Sequence, residues 1–245
     1  MNPVDDLGHP VPLPDRVRRV VSLVPSLTEA LAATDPGILV GVTVWCPADP
    51  AVERLRGTKN PHLRRVIELA PDLVVANKEE NRERHVRELR AAGVPVWVTD
   101  MRTVPGALAS LRRLLSACSP TDPGWLAEAE RIWAAPAPAI GLRVAVPIWR
   151  DPWMFVGADT YADDVLTRLG AINVCADRAR YPRVPPEEID ADLVLLPDEP
   201  YRFGPDDGPE AFPGTPSICI EGRDLTWYGP AMIAARERLT AALAR

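Results

Sequence analysis

The sequence predicts an α/β protein of two similar lobes with mostly parallel sheets, joined by a connecting helix and with a ligand cleft between them. One order of short, β-branched apolar segments occurs twice, in residues 19–25, 70–80 and 93–100 and again in residues 143–147, 191–200 and 214–222. Segments of this kind, bounded by Pro and Gly, are typical of strands buried in parallel sheets. Open sheets of this class bind ligands beyond the carboxyl ends of their strands, so the residues that follow each segment are the candidate site.

Helices are predicted between the segments. Ser26 and Glu29 form the pattern of a capping box at the start of a helix after the first segment. Apolar side chains at helical spacing indicate two more helices, over about residues 61–69 and about residues 80–92. Both are expected to cover the sheet of the first lobe.

The boundary between the lobes is predicted in a helical, proline-rich connector. Thr103 can cap a helix whose apolar residues recur as far as Cys118, and a second helix follows over about residues 125–134. At about 1.5 Å per residue, the second helix would be roughly 15 Å long and would cross once from lobe to lobe. The predicted division is a first lobe over residues 1–103, a connector over 104–138 and a second lobe over 139–245.

Composition and charge exclude several classes of partner. The 245 residues carry 28 basic and 34 acidic side chains, and a net charge of −6 gives no general attraction to nucleic acid or to anionic membranes. No apolar run approaches the length of a transmembrane helix, so no membrane insertion is expected. The amino terminus shows neither the basic nor the apolar region of a secretory signal, which favours a cytoplasmic protein.

The four cysteines give little support for a metal centre, because they form no CxxC pair. Cys118, Cys175 and Cys219 are expected to be small buried hydrophobes. Cys46 differs, because it follows the strand-like residues 40–44 and should lie at a strand end. A buried thiol and a reactive or ligating thiol are both open there.

Catalysis has little support in the sequence. His9, His62 and His85 match no Ser-His-Asp or metal-His spacing, and no glycine-rich phosphate loop is present. An enzyme that used Lys59 or Lys78 as acid or nucleophile would need strongly shifted pKa values. We therefore predict no catalytic residue, no metal ligand and no required cofactor.

The candidate ligand site consists of aromatic and polar side chains that follow the predicted strands. In the first lobe they are Ser26, Trp45, Cys46, Lys59, Asn60, Asn77, Lys78 and Glu79, and in the second lobe Trp149, Arg150, Trp153, Tyr181, Glu199, Asp224 and Trp227. The aromatic side chains suit a large planar or ring-shaped ligand, and each tryptophan also suits core packing. The basic side chains suit carboxylates or phosphates. The acidic ones suit a hard cation or ion pairs with these bases.

Several of these motifs also carry a family resemblance. Residues 20–103 resemble the helical-backbone metal receptor superfamily, the substrate-binding proteins for cobalamin, iron-siderophores and haem. The matching motifs are Pro25-Ser26-Leu27-Thr28-Glu29, Gly57-Thr58-Lys59-Asn60-Pro61 and residues 71–76, followed in the second lobe by residues 157–170, Arg180-Tyr181-Pro182 and residues 192–197. The resemblance covers almost the whole chain. It implies a rigid two-lobed receptor that holds cobalamin or another metal chelate in its cleft without chemistry on it.

The sequence also departs from the family pattern. Lys59 and Asn77 stand where the cobalamin receptor has aromatic side chains. Family members, which are usually periplasmic or lipid-anchored, dock to an ABC transporter permease through one acidic side chain on each lobe. Glu187 matches one of these positions, and Arg64 stands at the other. The alternative is a cytosolic enzyme or ligand sensor that has reused the scaffold for a different small molecule.

Overall fold

The computed structural model describes residues 2–244, which form two compact units. The first unit contains the residues up to Asp100 together with Ala107–Glu128 and Tyr228–Pro230. The second unit contains Met101–Gly106, Ala129–Trp227 and the residues from Ala231 onward. Each unit has its own parallel sheet, which confirms the predicted fold class. The three-part division of the chain, with its connecting helix and cleft, stays a prediction.

The first unit is built on a five-stranded sheet in the order β3-β2-β1-β4-β5, in which every neighbouring pair is parallel. Its strands are β1 (Val20–Ser22), β2 (Leu39–Val42), β3 (Glu53–Arg54), β4 (Leu73–Asn77) and β5 (Val96–Thr99). Every residue of the central strand β1 and of its neighbour β4 is buried, as expected for a parallel sheet covered on both faces. The three predicted segments of this half are therefore confirmed as β1, β4 and β5.

Five helices follow these strands. They are α1 (Pro25–Thr34), α2 (Leu63–Glu68), α3 (Glu83–Ala91), α4 (Val104–Cys118) and α5 (Gly124–Ile132). Val66 of α2 and Leu89 of α3 are fully buried in one apolar cluster with Val74 of β4, so both helices cover the sheet as predicted.

The helix starts were predicted with mixed success. The capping box at α1 is wrong, because α1 begins at Pro25 and Ser26 lies within its first turn. Proline suits that first position, since its fixed φ is helical and the N–H it lacks would have had no partner there. The predicted cap of α4 is confirmed: the Thr103 hydroxyl accepts a hydrogen bond from the Gly106 N–H at 3.1 Å.

The second unit has a four-stranded parallel sheet in the order β11-β10-β6-β9. Its elements are β6 (Arg143–Ala145), β7 (Pro147–Trp149), β8 (Met154–Phe155), α6 (Tyr161–Arg168), β9 (Ile172–Asn173), β10 (Leu193–Pro197), β11 (Ser217–Ile220), α7 (Arg223–Thr226) and α8 (Ala231–Leu243). Strands β7 and β8 form a separate antiparallel hairpin. The three predicted segments are confirmed as β6, β10 and β11, whereas the hairpin was not predicted.

Burial corrects one of the cysteine predictions. Cys46, Cys118 and Cys175 are buried, but Cys219 is exposed. Its strand, β11, is one of the two edge strands of the second sheet, and none of the four residues of that strand is fully buried.

Among residues 2–244, no helix combines the length and the apolar character that a membrane span requires.

Candidate functional site

The parallel sheet of the first unit brings four of its predicted site segments to one edge. Strands β1 to β4 all run in the same direction, so the loops that follow them leave the sheet at its carboxyl edge. Ser26, Trp45, Lys59 and Lys78 lie on these loops or on the helix that follows β1. The predicted first-lobe residues are therefore neighbours in the fold, although they are spread over more than fifty positions of sequence.

The loop after β2 presents one exposed aromatic side chain and one buried thiol. Trp45 is 71% exposed, the highest value among the large hydrophobic residues that are exposed in the described part of the chain. Cys46 is 5% exposed, and its Sγ lies 3.0 Å from the Thr43 hydroxyl. Burial raises the pKa of the Cys46 thiol, against an opposite effect of hydrogen bonds with Thr28 and Thr43. These features favour a buried neutral thiol over a reactive one.

The two lysines of the first unit are tied to neighbouring loops. Lys59 donates a hydrogen bond of 2.5 Å from its Nζ to the backbone oxygen of Glu79. Lys78 forms an ion pair with Asp100, with 2.8 Å between Nζ and Oδ2. Asn60, next to Lys59, is exposed, and its N–H closes a turn onto the Gly57 oxygen at 3.1 Å. Lys59 thus joins the loop after β3 to the loop after β4.

Asn77, the last residue of β4, has its side-chain amide engaged within the fold. It is 3% exposed, its Nδ2 donates to the Thr99 hydroxyl at 3.1 Å, and its Oδ1 accepts from the Glu79 N–H at 2.8 Å. The amide therefore orders the turn over residues 78–80. Asn81, which sequence reasoning did not single out, is equally buried and bonds to three segments of this unit.

A tyrosine from far along the chain completes the polar surroundings of this edge. Tyr228 is 5% exposed and belongs to the first unit, where its hydroxyl donates to Glu80 Oε1 at 3.3 Å. Burial, followed by the negative charge of Glu80, raises the pKa of Tyr228 well above its usual value, so it stays a neutral donor. Sequence reasoning missed Tyr228 because nothing local relates it to a strand end 148 positions away.

In the second unit, Arg150 is held by two acidic side chains and one aromatic ring. Its guanidinium pairs with Asp207, lies 2.5 Å from Glu210 Oε1, and stands 5.2 Å from the ring centre of Trp153. The hydrogen bond with Glu210 is the main cause that raises the pKa of Arg150, so the guanidinium stays charged. A ligand anion would have to compete with both carboxylates for it.

The predicted tryptophans of the β7–β8 hairpin have different environments. Trp153 is half-buried and stacks on Phe203, with ring centres 5.6 Å apart and an angle of 15° between the planes. It also meets Phe212 edge to face at 5.5 Å. Trp149 is 44% exposed and contacts only the edge of Tyr201 among the aromatic pairs found in the described residues. Trp149 therefore offers more free ring surface than Trp153 does.

The two acidic residues predicted for the ligand site of the second unit, Asp224 and Glu199, both have hydrogen-bond partners within the protein. Asp224 is 3% exposed and bonded by two nitrogens of Arg238, one at 2.6 Å. Burial raises the pKa of Glu199, although hydrogen bonds with Trp227 and Thr226 act in the opposite direction.

Two further aromatic residues of the predicted ligand site each have an arginine guanidinium above the ring. Arg223 lies 4.6 Å from the ring centre of Trp227, and Arg180 lies 5.7 Å from that of Tyr181. Both aromatic side chains are half-buried. A guanidinium beside an aromatic face suits recognition of carboxylates or phosphates. Arg180 also donates to the Asp159 backbone oxygen at 2.8 Å, so a ligand anion would have to compete with this partner.

The described residues contain no group of three or more His, Cys, Asp and Glu side chains that could hold a metal ion. The acidic side chains of the candidate site instead engage basic, hydroxyl or aromatic partners, as seen for Asp224 and Glu199. Trp45 in the first unit and Trp149 in the second each offer exposed aromatic surface to a ligand.

Comparisons with known proteins place these units in a family. No family model matches the chain. The vitamin B12-binding protein of Salmonella typhimurium is 32% identical over 183 residues, which span 70% of this chain and 68% of that protein. The periplasmic vitamin B12-binding protein BtuF of Vibrio cholerae superposes with a TM-score of 0.77 at 19% identity, over 95% of this chain and 98% of the other.

A haem-binding protein shares the same fold. The periplasmic heme-binding protein RhuT of Roseiflexus sp. RS-1 superposes with a TM-score of 0.73 at 21% identity, over 93% of this chain and 98% of the other. At these identities the solved structures establish the fold, and the Salmonella relative establishes the kinship. The chain belongs to the family of the vitamin B12-binding proteins, within the superfamily of substrate-binding proteins for cobalamin and iron chelates.

Proposed function

We propose that this protein binds a metal chelate of the cobalamin or haem and iron-chelate type, releases it unchanged and needs no cofactor of its own. The relatives named for vitamin B12 and for haem support this class of ligand. Transport through a permease and a cytoplasmic location stay predictions.

The observation that carries the proposal is the exposure of Trp45 at the carboxyl edge of the first sheet. An indole that is 71% exposed leaves a large, flat apolar ring surface open for contact with a ligand. A corrin or porphyrin ring has a matching flat apolar face, and its polar side groups would meet Lys59 and Asn60 on the adjacent loop. Both side chains are exposed.

The second unit supplies a comparable set of groups. Trp149 presents a half-open ring, and the stacked pairs Arg180–Tyr181 and Arg223–Trp227 combine an aromatic face with a fixed positive charge. Cation and ring together suit a ligand that has both a planar body and carboxylate or phosphate groups. Haem carries carboxylates and cobalamin carries a phosphate, so these pairs do not by themselves choose between the two.

The test is a binding panel with the purified protein. Cyanocobalamin, cobinamide, haem and a ferric hydroxamate are titrated in turn, and binding is followed by absorbance of the chelate and by calorimetry. We expect one of them to bind with a dissociation constant in the micromolar range or below, and mass spectrometry should recover it unchanged. Absence of binding to the whole panel would refute the proposed ligand class, and recovery of a modified chelate would refute the non-catalytic role.

A further inference from the structure

Asn81 is the point at which three segments of the first unit are joined. Its Nδ2 donates to the Leu23 oxygen at 3.2 Å, after β1, and to the Thr58 oxygen at 3.1 Å, after β3. Its Oδ1 accepts from the Asn77 N–H at 2.8 Å, at the end of β4. The side chain is 5% exposed, so these bonds are shielded from competition by water.

The chemistry of these bonds requires an amide at this position. The side-chain NH2 group donates both of its hydrogens to backbone oxygens, and the side-chain oxygen accepts from a backbone N–H. Only an amide supplies these two donors and this acceptor together. A carboxylate of the same shape would turn an oxygen toward two carbonyl oxygens. An alanine would leave buried backbone groups without partners, which is costly in a protein interior.

The segment over Gly57–Asn60, here called the Lys59 loop, depends on this joint. Its other side-chain tie to the turn after β4 is the bond from Lys59 to the Glu79 oxygen. The Lys59 loop also lies against the exposed tryptophan, because a Cβ placed on Gly57 would stand 3.4 Å from the Trp45 Nε1. A shift of this loop would therefore move the surroundings of Trp45, Lys59 and Asn60 together.

We propose that Asn81 is the positioning residue of the binding surface in the first unit: it fixes the Lys59 loop relative to the strand ends of β1 and β4 and does not itself contact the ligand. The inference rests on the proposed function, since it assumes that the surface around Trp45 and Lys59 binds the chelate. Its structural half, the fixing of the loop, can be measured without any ligand.

The first experiment measures hydrogen exchange of the full chain in three forms: unmutated, Asn81→Asp and Asn81→Ala. A Leu111→Val variant serves as the control for general destabilisation, because Leu111 is fully buried in α4 and lies outside these loops. In both Asn81 variants, peptides that cover residues 56–60 should exchange at least tenfold faster than in the unmutated protein. In the control, their exchange rate should be unchanged. Equal exchange in all forms would overturn the proposal, whatever the chelate titrations show.

The second experiment measures the affinity of the same proteins for cyanocobalamin and for haem. Both Asn81 variants should bind at least tenfold more weakly than the unmutated protein, while Leu111→Val stays within twofold. A faster-exchanging loop with unchanged affinity would overturn the role in binding. If the unmutated protein binds neither chelate, the proposed function fails, and the exchange result alone still decides whether Asn81 fixes the loop.

A pH series separates hydrogen bonding from a general structural role. The hydrogen-bond partners of the Asn81 side chain are backbone groups, which do not titrate. A protonated carboxyl group again carries one donor, so the affinity lost in Asn81→Asp should be partly regained as the pH is lowered. The loss in Asn81→Ala should stay constant over the same range, and equal pH profiles for the two variants would contradict the proposal.

Discussion

Replacement of Trp45 by alanine isolates the contribution of one exposed ring to binding. A tryptophan side chain carries up to about 250 Å² of surface. With 71% of the residue exposed, about 180 Å² is open to a ligand, and a flat ligand that stacks on one face would cover about half of it, or about 90 Å². At about 25 cal/mol per Å², the lost contact is worth about 2 kcal/mol, which raises the dissociation constant of the chelate about 30-fold.

The assay is a calorimetric titration of Trp45→Ala, Trp45→Phe and Ile140→Ala with whichever chelate of the panel binds the unmutated protein. Trp45→Phe keeps a flat ring, so its loss of binding free energy should be less than a third of the loss in Trp45→Ala. Ile140 is 51% exposed and precedes β6, at the opposite end of a strand from the candidate site, so its variant should bind normally. Because Trp45 is so exposed, its removal should change the free energy of unfolding by less than about 0.5 kcal/mol. If Trp45→Ala bound the chelate with an affinity within twofold of that of the unmutated protein, the role given to the Trp45 ring would be refuted.

Three further predictions concern the buried groups. Asp224→Ala should lower the free energy of unfolding by about 2 kcal/mol in urea denaturation, because it leaves Arg238 without its buried partner; the half-exposed guanidinium can still reach water, which keeps the loss below that of a fully buried pair. In the native protein at pH 8, a thiol reagent should modify Cys219 rapidly and Cys46 slowly, since burial raises the pKa of the Cys46 thiol and blocks access; peptide mapping that found Cys46 modified first would contradict this. Burial also raises the pKa of Glu199, so its carboxyl group favours folding below its unfolded pKa of about 4.5 and loses that contribution as the pH rises through the raised folded value. Glu199→Gln should remove this decline in denaturation curves taken across that range, and a decline of unchanged size in the variant would point to another group.

The sheets could be predicted because their strands repeat a strong local signal. Residues such as Val20, Val74 and Leu195 are fully buried in parallel strands, and runs of such side chains are readable without knowledge of their neighbours. Strands β3, β8 and β9 were not predicted, because two residues give no periodicity. The capping box at Ser26 is wrong because, although the pattern fits, the helix begins at Pro25 and its N-cap is Val24, two residues before Ser26.

The candidate site was predictable as a set of loops and much less so as a set of contacts. The position of Trp45 after β2 follows from the order of segments, yet its exposure and the burial of its neighbour Cys46 depend on how the next loop folds. Asn77 and Asp224 are predicted ligand contacts, and each is buried with hydrogen-bond partners of its own, so their contact with a ligand stays a prediction.

Asn81 and Tyr228 were missed because their importance comes from tertiary bonds. Asn81 reaches backbone oxygens 58 and 23 positions away, and Tyr228 reaches a carboxylate 148 positions away. A single sequence contains no local pattern for such pairs. The residues that shape a site from behind are therefore harder to find than those that line it.

The first unit is assembled from separate segments of the chain, and this affects the order in which the units can fold during synthesis. Its segments Ala107–Glu128 and Tyr228–Pro230 come from separate parts of the chain, and the buried Tyr228 is translated 148 residues after its partner Glu80. A nascent chain that has emerged only as far as residue 128 can form β1 to β5 but lacks the tyrosine that closes their carboxyl edge. The first unit is therefore completed only when residues 228–230 have left the ribosome, after most of the second unit has been translated, so the two units cannot mature strictly one after the other.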